Sequence, residues 1–155
     1  MLVDLKTYYL HQSRMIVSEE PLTVNTVLGS CVSVCMFDTE FKIGGINHFM
    51  LPLWNGEGLE SPRFGNVAIP KLIDELLRLG ATKENLIAKV FGGAMVLVEG
   101  DSHFRTGERN LSVAFRLLNE YNIPMVASST GGNRGRKILF DTSTGKVQQK
   151  YLNKR

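Results

Sequence analysis

Cys31, with Ser30 and Gly29 before it, lies in "TVLGSCVSVCMFD", and His48 follows seventeen residues later in "GGINHFMLP". A thiol and an imidazole can together carry out acyl chemistry. A free cysteine with a pKa of about 8.5 is only a few per cent thiolate at neutral pH, and a neighbouring imidazolium favours the thiolate. The imidazole can then protonate a leaving amine. Gly29 lets a substrate approach the backbone closely. The N–H groups around Ser30 and Cys31 could form an oxyanion hole. Such a set suits attack on a carbonyl from which an amine, ammonia or an alkoxide departs. The same residues also allow a small buried core thiol and a structural histidine.

Cys35 is four residues from Cys31 and on the same strand face. Two pleats along a strand separate the side chains by about 13 Å, too far for one zinc ion. Cys35 therefore reads as core, and no metal is expected. Two cysteines do not make a disulfide framework.

The elements that must position these residues follow from patterning. Thr23 to Val27 and Val32 to Phe37 read as strands broken by Gly29 and Ser30, and Ile43 to Leu51 reads as another. A hairpin around Asp38 to Phe41 pairs residues whose numbers sum to 79. Phe37 then faces Lys42, Val34 faces Gly45 and Cys31 faces His48. Directly opposed Cβ atoms are about 4.5–5.5 Å apart, within reach of a thiol–imidazole hydrogen bond. Slipping the register by one residue would put the pair on opposite faces.

Pro52 to Gly65 reads as an exposed loop. Asn66 to Leu79 is a helix, with Asn66 as N-cap, Pro70 near the first turn, Gly80 as stop, and Ile69, Leu72, Ile73, Leu76 and Leu77 inward. Leu86 to Phe91 is a strand ending in Gly92-Gly93. Leu111 to Tyr121 is a second helix, with Leu111, Ala114, Leu117, Leu118 and Tyr121 inward. "PMVASS" is a strand, and Arg136 to Asp141 with Lys146 to Leu152 form a terminal hairpin. Strands outnumber helices and the first are consecutive. The expected class is α/β of the α+β type: mixed, largely antiparallel sheets with helices packed on their faces, in a single-domain layered sandwich.

The 155 residues suit one domain spanning 1–155, with 1–20 an N-terminal extension to which the pattern assigns no order. Hydrophobic residues at 43% and charged residues at 21% can support a core without staples. No apolar run is long enough to cross a membrane and no secretory signal is evident, which argues for a cytoplasmic protein without membrane insertion. A net charge of +3 is too small to imply nucleic acid by itself, and it favours an acidic partner surface.

"TVLGSC", "NHFMLP" and "TGGNRGR" in that order, with "NVAIPKLIDELLRLGA", "AKVFGGAMV" and "GERN" between them, resemble the CheD family of chemoreceptor glutamine deamidases over roughly Thr23 to Val147. The resemblance implies a cysteine-dependent amidohydrolase that converts selected glutamines of methyl-accepting chemoreceptors to glutamate; the same site could cleave a glutamate methyl ester, since both reactions pass through an acyl thioester. It implies no metal or organic cofactor. Cys31 matches the nucleophile and His48 the general base and acid. A threonine shortly before the cysteine is the third catalytic residue, for which Thr26 is the candidate and Ser30 the competing hydroxyl. Gly29 and Ser30 are expected at the oxyanion site, with Asn133 and Arg134 near its mouth. The implied partners are the cytoplasmic domains of chemoreceptors and a CheC-type phosphatase. A non-catalytic adaptor for the two is the alternative function.

Other features are weaker. Gly92-Gly93 and Gly131-Gly132 match neither phosphate-loop pattern and read as tight turns. "GGNRGRK" offers Arg134, Arg136 and Lys137 as a basic edge that could dock an acidic helix, or grip phosphates or nucleic acid. The absence of interleaved aromatics there argues against nucleic acid. His11 and His103 read as surface or structural residues. Trp54 could line the site or meet a partner.

Overall fold

The computed structural model describes residues 6–95 and 105–153, and His103 lies outside them. Among the described residues, nine strands and two α-helices form three layers. The strands are β1 (Lys6–Tyr9), β2 (Met15–Ser18), β3 (Leu22–Leu28), β4 (Val32–Asp38), β5 (Gly44–Asn47), β6 (Leu86–Gly92), β7 (Met125–Thr130), β8 (Arg136–Asp141) and β9 (Val147–Tyr151); the helices are α1 (Gly65–Arg78) and α2 (Thr106–Glu120). One sheet runs β1-β3-β8-β9 and the other β2-β5-β4-β6-β7. Among the described strand pairs, β1–β3 and β6–β7 are parallel and the other five antiparallel, so the sheets are mixed and largely antiparallel, as expected. Two of these strands lie within residues 1–20.

Burial follows the strand period. Val24, Thr26 and Leu28 of β3 face inward on alternate positions, whereas β4 is buried throughout, as a central strand covered on both faces must be. One core lies between the five-stranded sheet and both helices and includes Val34, Met36, Leu72, Leu76, Ala114 and Leu118. The second lies between the sheets and includes Val24, Leu28, Cys35, Ile46, Phe91 and Phe140. Both helices therefore cover a single face of the five-stranded sheet, and the four-stranded sheet covers the other.

Helix α1 begins at Gly65 with Phe64 at the N-cap. Asn66 is not the cap: its Oδ1 accepts the Trp54 backbone N–H at 2.7 Å, while the first-turn N–H groups of Gly65 and Asn66 donate to the Leu51 and Pro52 carbonyls. Pro70 falls in the second turn, and Leu77 is 39% exposed instead of inward. Helix α2 starts five residues earlier than the apolar pattern suggests. Its first turn is polar, and Gly107 replaces a side chain where a Cβ would lie 2.5 Å from the Ala94 carbonyl oxygen.

The β4–β5 register differs from the expected one. The pairs Cys35↔Ile46, Met36↔Gly45 and Phe37↔Gly44, and the bridge Val32↔Phe49, sum to 81 instead of 79. The turn explains the shift. Asp38 Oδ1 accepts the N–H groups of Glu40 and Phe41, both at 2.8 Å, and Lys42 takes the left-handed conformation at φ 58°. The chain thus needs two more residues to reverse. A shift of two keeps side chains on their faces, so Cys31 and His48 become diagonal neighbours instead of opposed ones.

Candidate functional site

The chain leaves the four-stranded sheet at Leu28 and enters the other at Val32, so Gly29-Ser30-Cys31 is a crossover between sheets. A second crossover, from Thr130 to Arg136, lies at the same end. Leu28 pairs with Arg136, while Val32 pairs with Gly92 and Gly92 with Thr130.

The first crossover is held by its carbonyls. Gly29 O accepts the Ala94 N–H, Cys31 O accepts the Gly93 N–H, both at 2.9 Å, and Ser30 O accepts from the Asn110 side chain at 3.0 Å. Three consecutive carbonyls are thereby tied into the protein. Gly92-Gly93, read from sequence as a turn, is the clamp. At Gly92 φ is +105°, and a Cβ there would lie 2.2 Å from the Cys31 carbonyl oxygen. Any other residue would displace the cysteine's backbone.

His48 lies just beyond β5, is 2% exposed, and faces the inter-sheet core. Thr26, fully buried on β3, reaches it across the gap: Thr26 Oγ1 lies 2.7 Å from His48 Nδ1 and 2.7 Å from the Leu10 carbonyl oxygen. A hydroxyl has one proton, and the Leu10 carbonyl can only accept. Oγ1 therefore accepts from Nδ1–H, which leaves the lone pair on Nε2. Leu10 follows β1, so the N-terminal segment completes the site. The sequence pattern carried no signal for that carbonyl.

Nε2 is buried without a hydrogen-bond partner among the described residues, and Cys31 is half-buried on the same strand face. The expected thiol–imidazole hydrogen bond is thus not formed, because the register places Cys31 across from Met50. Burial pushes the Cys31 thiol up to about 11, an effect its own backbone N–H partly offsets. Burial likewise pushes His48 down to about 4, an effect that the nearby Leu10 carbonyl partly offsets. The pair is therefore a neutral thiol and a neutral imidazole at pH 7, instead of the ion pair expected from sequence. Such an imidazole can accept a proton at Nε2 while Thr26 holds its orientation.

Of the competing hydroxyls, Thr26 meets His48 and Ser30 does not. Cys35 is buried between the sheets. Asn133 is exposed on the second crossover, whose Gly131 N–H reaches Gly92 O at 2.9 Å and whose Gly132 O accepts the Met95 N–H at 2.8 Å. Asn133 thus sits on the loop packed against the clamp. The Arg134 guanidinium turns away and donates to the Leu152 carbonyl, at 2.9 Å from one terminal nitrogen. Arg136 is only 1% exposed: its guanidinium donates to the Ser129 carbonyl and hydroxyl and to the Gly131 carbonyl. It is an internal brace of the crossover, so the expected basic edge loses Arg136. Trp54 is half-buried, and its ring N–H donates to the Glu57 carbonyl at 2.9 Å, which closes its own loop. His11 is exposed, edge-on to Tyr9. Asn110 was missed: in "GERN" it reads as one polar residue of an amphipathic helix.

Comparison with known proteins agrees with the motif resemblance. The family model described as CheD chemotactic sensory transduction matches residues 50–151. A protein named probable chemoreceptor glutamine deamidase CheD from Sulfurimonas denitrificans is 44% identical over 153 residues, covering 98% of each chain. One of the same name from Trichlorobacter lovleyi is 47% identical over 143 residues, 92% of this chain and 89% of that protein. A probable chemoreceptor glutamine deamidase CheD 1 from Anaeromyxobacter dehalogenans is 45% identical over 144 residues, 93% of this chain and 84% of its own. The family match begins beyond Cys31 and His48, but the 153-residue alignment spans them. The chain belongs to the CheD family.

Proposed function

We propose that this protein deamidates glutamine side chains of methyl-accepting chemoreceptors, with Cys31 as nucleophile, His48 as general base and acid, and Thr26 as the residue that orients His48. The observation that carries the reading is the Thr26–His48 pair, which leaves Nε2 as a lone pair on the face that bears the cysteine. As Cys31 Sγ bonds to the amide carbon, its proton passes to Nε2. With burial holding the thiol up and the imidazole down, proton transfer ahead of bond formation is unfavourable, so transfer accompanies C–S bond formation. Hydrogen bonds between catalytic groups commonly tighten only once substrate is bound. The Cys31 N–H holds the developing oxyanion. The imidazolium returns the proton to the departing nitrogen, ammonia leaves, and a thioester remains. Nε2 then takes a proton from water, the hydroxide adds to the thioester, and the thiol leaves with that proton, giving glutamate. A glutamate methyl ester would follow the same course with methanol leaving.

The substrate is the cytoplasmic portion of the receptor, consistent with the lack of any membrane-crossing helix among the described residues. Family membership supports a CheC-type phosphatase as a further partner. The test is incubation with a receptor cytoplasmic fragment, with ammonia release and conversion of glutamine to glutamate followed by mass spectrometry. The wild type should convert specific glutamines and Cys31→Ala none. Conversion undiminished in Cys31→Ala would refute the proposal.

A further inference from the structure

Asn110 of α2 is fully buried, and both hydrogens of its amide are used: Nδ2 donates to the Ser30 carbonyl and to the Met50 carbonyl, each at 3.0 Å. Its Oδ1 has no partner among the described residues. A buried acceptor left unmatched is unfavourable and rare, so the asparagine needs a reason that packing does not supply. The two carbonyls supply it. Ser30 C=O and Cys31 N–H belong to one peptide unit, which is planar and trans and so points them in opposite directions. Fixing the carbonyl toward α2 fixes the Cys31 N–H away from it. Met50 lies across from Cys31, next to the Val32–Phe49 bridge and two residues beyond His48. One side chain therefore ties the nucleophile's own peptide to the segment that carries the imidazole.

We propose that Asn110 is a positioning residue for the oxyanion donor: it aims the Cys31 N–H at the tetrahedral oxygen and holds that peptide in register with His48. The inference rests on the cysteine-hydrolase reading above and adds a residue to it. Asn110 itself touches neither substrate nor reacting atoms. Its donation to Ser30 O also polarises the peptide, which strengthens the N–H on the other side.

Deleting an oxyanion donor outright lowers turnover by about 10²–10³-fold. Here the donor remains but loses its aim, so Asn110→Ala should lower kcat by about 10–100-fold and leave KM within about threefold. Iodoacetamide alkylation of Cys31 passes through no oxyanion, and its rate and pH profile should stay within about twofold of wild type. Asn110→Ser, with one donor, should fall between. Unchanged kcat would overturn the proposal, and so would alkylation falling in parallel with deamidation. Asn110→Leu keeps the helix and most of the volume without a donor and is measured beside the alanine variant. If neither folds, the role is structural and the proposal fails. Acylation of Cys31 by p-nitrophenyl acetate passes through an oxyanion without the receptor. If the wild type ignores receptor fragments, the substrate assignment is lost, while slower acylation in Asn110→Ala still sustains the positioning role.

Discussion

Cys31 should behave as a suppressed thiol. Burial raises it from its ordinary 9.0 to about 11. That shift reduces the thiolate fraction about 100-fold at any pH well below 9. The thiolate that forms is more basic and intrinsically more nucleophilic, which recovers about a factor of 10. Alkylation by iodoacetamide at pH 7–8 should therefore run about 10-fold slower than for a free cysteine, and its rate should climb about tenfold per pH unit to beyond pH 10. The assay is stopped-time alkylation across pH 5 to 10 with site-resolved mass spectrometry. Cys35, buried between the sheets, serves as an internal control that stays unmodified while the protein is folded. A rate plateau from about pH 5 to pH 8 would refute the reasoning, because only a thiolate–imidazolium pair holds the nucleophile ionised across that range. It would show that the Cys31–His48 attraction outweighs the loss of solvation at both groups.

Thr26→Val removes the acceptor of His48 Nδ1–H and should lower kcat at least about 10-fold and stability by about 1–3 kcal/mol, whereas Thr26→Ser should stay near wild type. Nitrogen-detected NMR of His48 should show Nδ1–H in the wild type, and an Nε2–H tautomer there would contradict the hydrogen-bond assignment. His48 is also an acid-sensitive element of the fold. Its folded value, about 4, lies below its ordinary 6.5, so well above pH 6.5 it is uncharged in both states and contributes no pH dependence. As pH falls from 6.5 towards 4 the unfolded chain takes up a proton that the folded one refuses, which removes up to about 3 kcal/mol. Urea melts between pH 7.5 and 4.5 should show that loss in the wild type and not in His48→Leu; parallel curves for the two would count against it.

Local signals sufficed for most elements. The strands around Thr26, Val34 and Ile138 and the apolar faces of both helices are written in residue periodicity, and the ordered motifs around Cys31, His48 and Gly131 point to the family. Two features escaped, one because apolar alternation does not distinguish neighbouring registers and the other because it depends on groups distant in sequence. The register of β4 against β5 was set by a carboxylate, Asp38, that lengthened the turn, and apolar alternation alone is equally satisfied by registers two residues apart. The second is who touches His48. The Leu10 carbonyl, the Gly92-Gly93 clamp and Asn110 lie far from Cys31 along the chain and are joined to it only when the two sheets stack. Sequence by itself determined the chemical inventory, a cysteine, an imidazole and a threonine at compatible strand positions. Tertiary structure decided which hydroxyl met the imidazole, which ring nitrogen kept the proton, and that burial left the pair neutral, because desolvation and cross-sheet hydrogen bonds exist only in the packed protein.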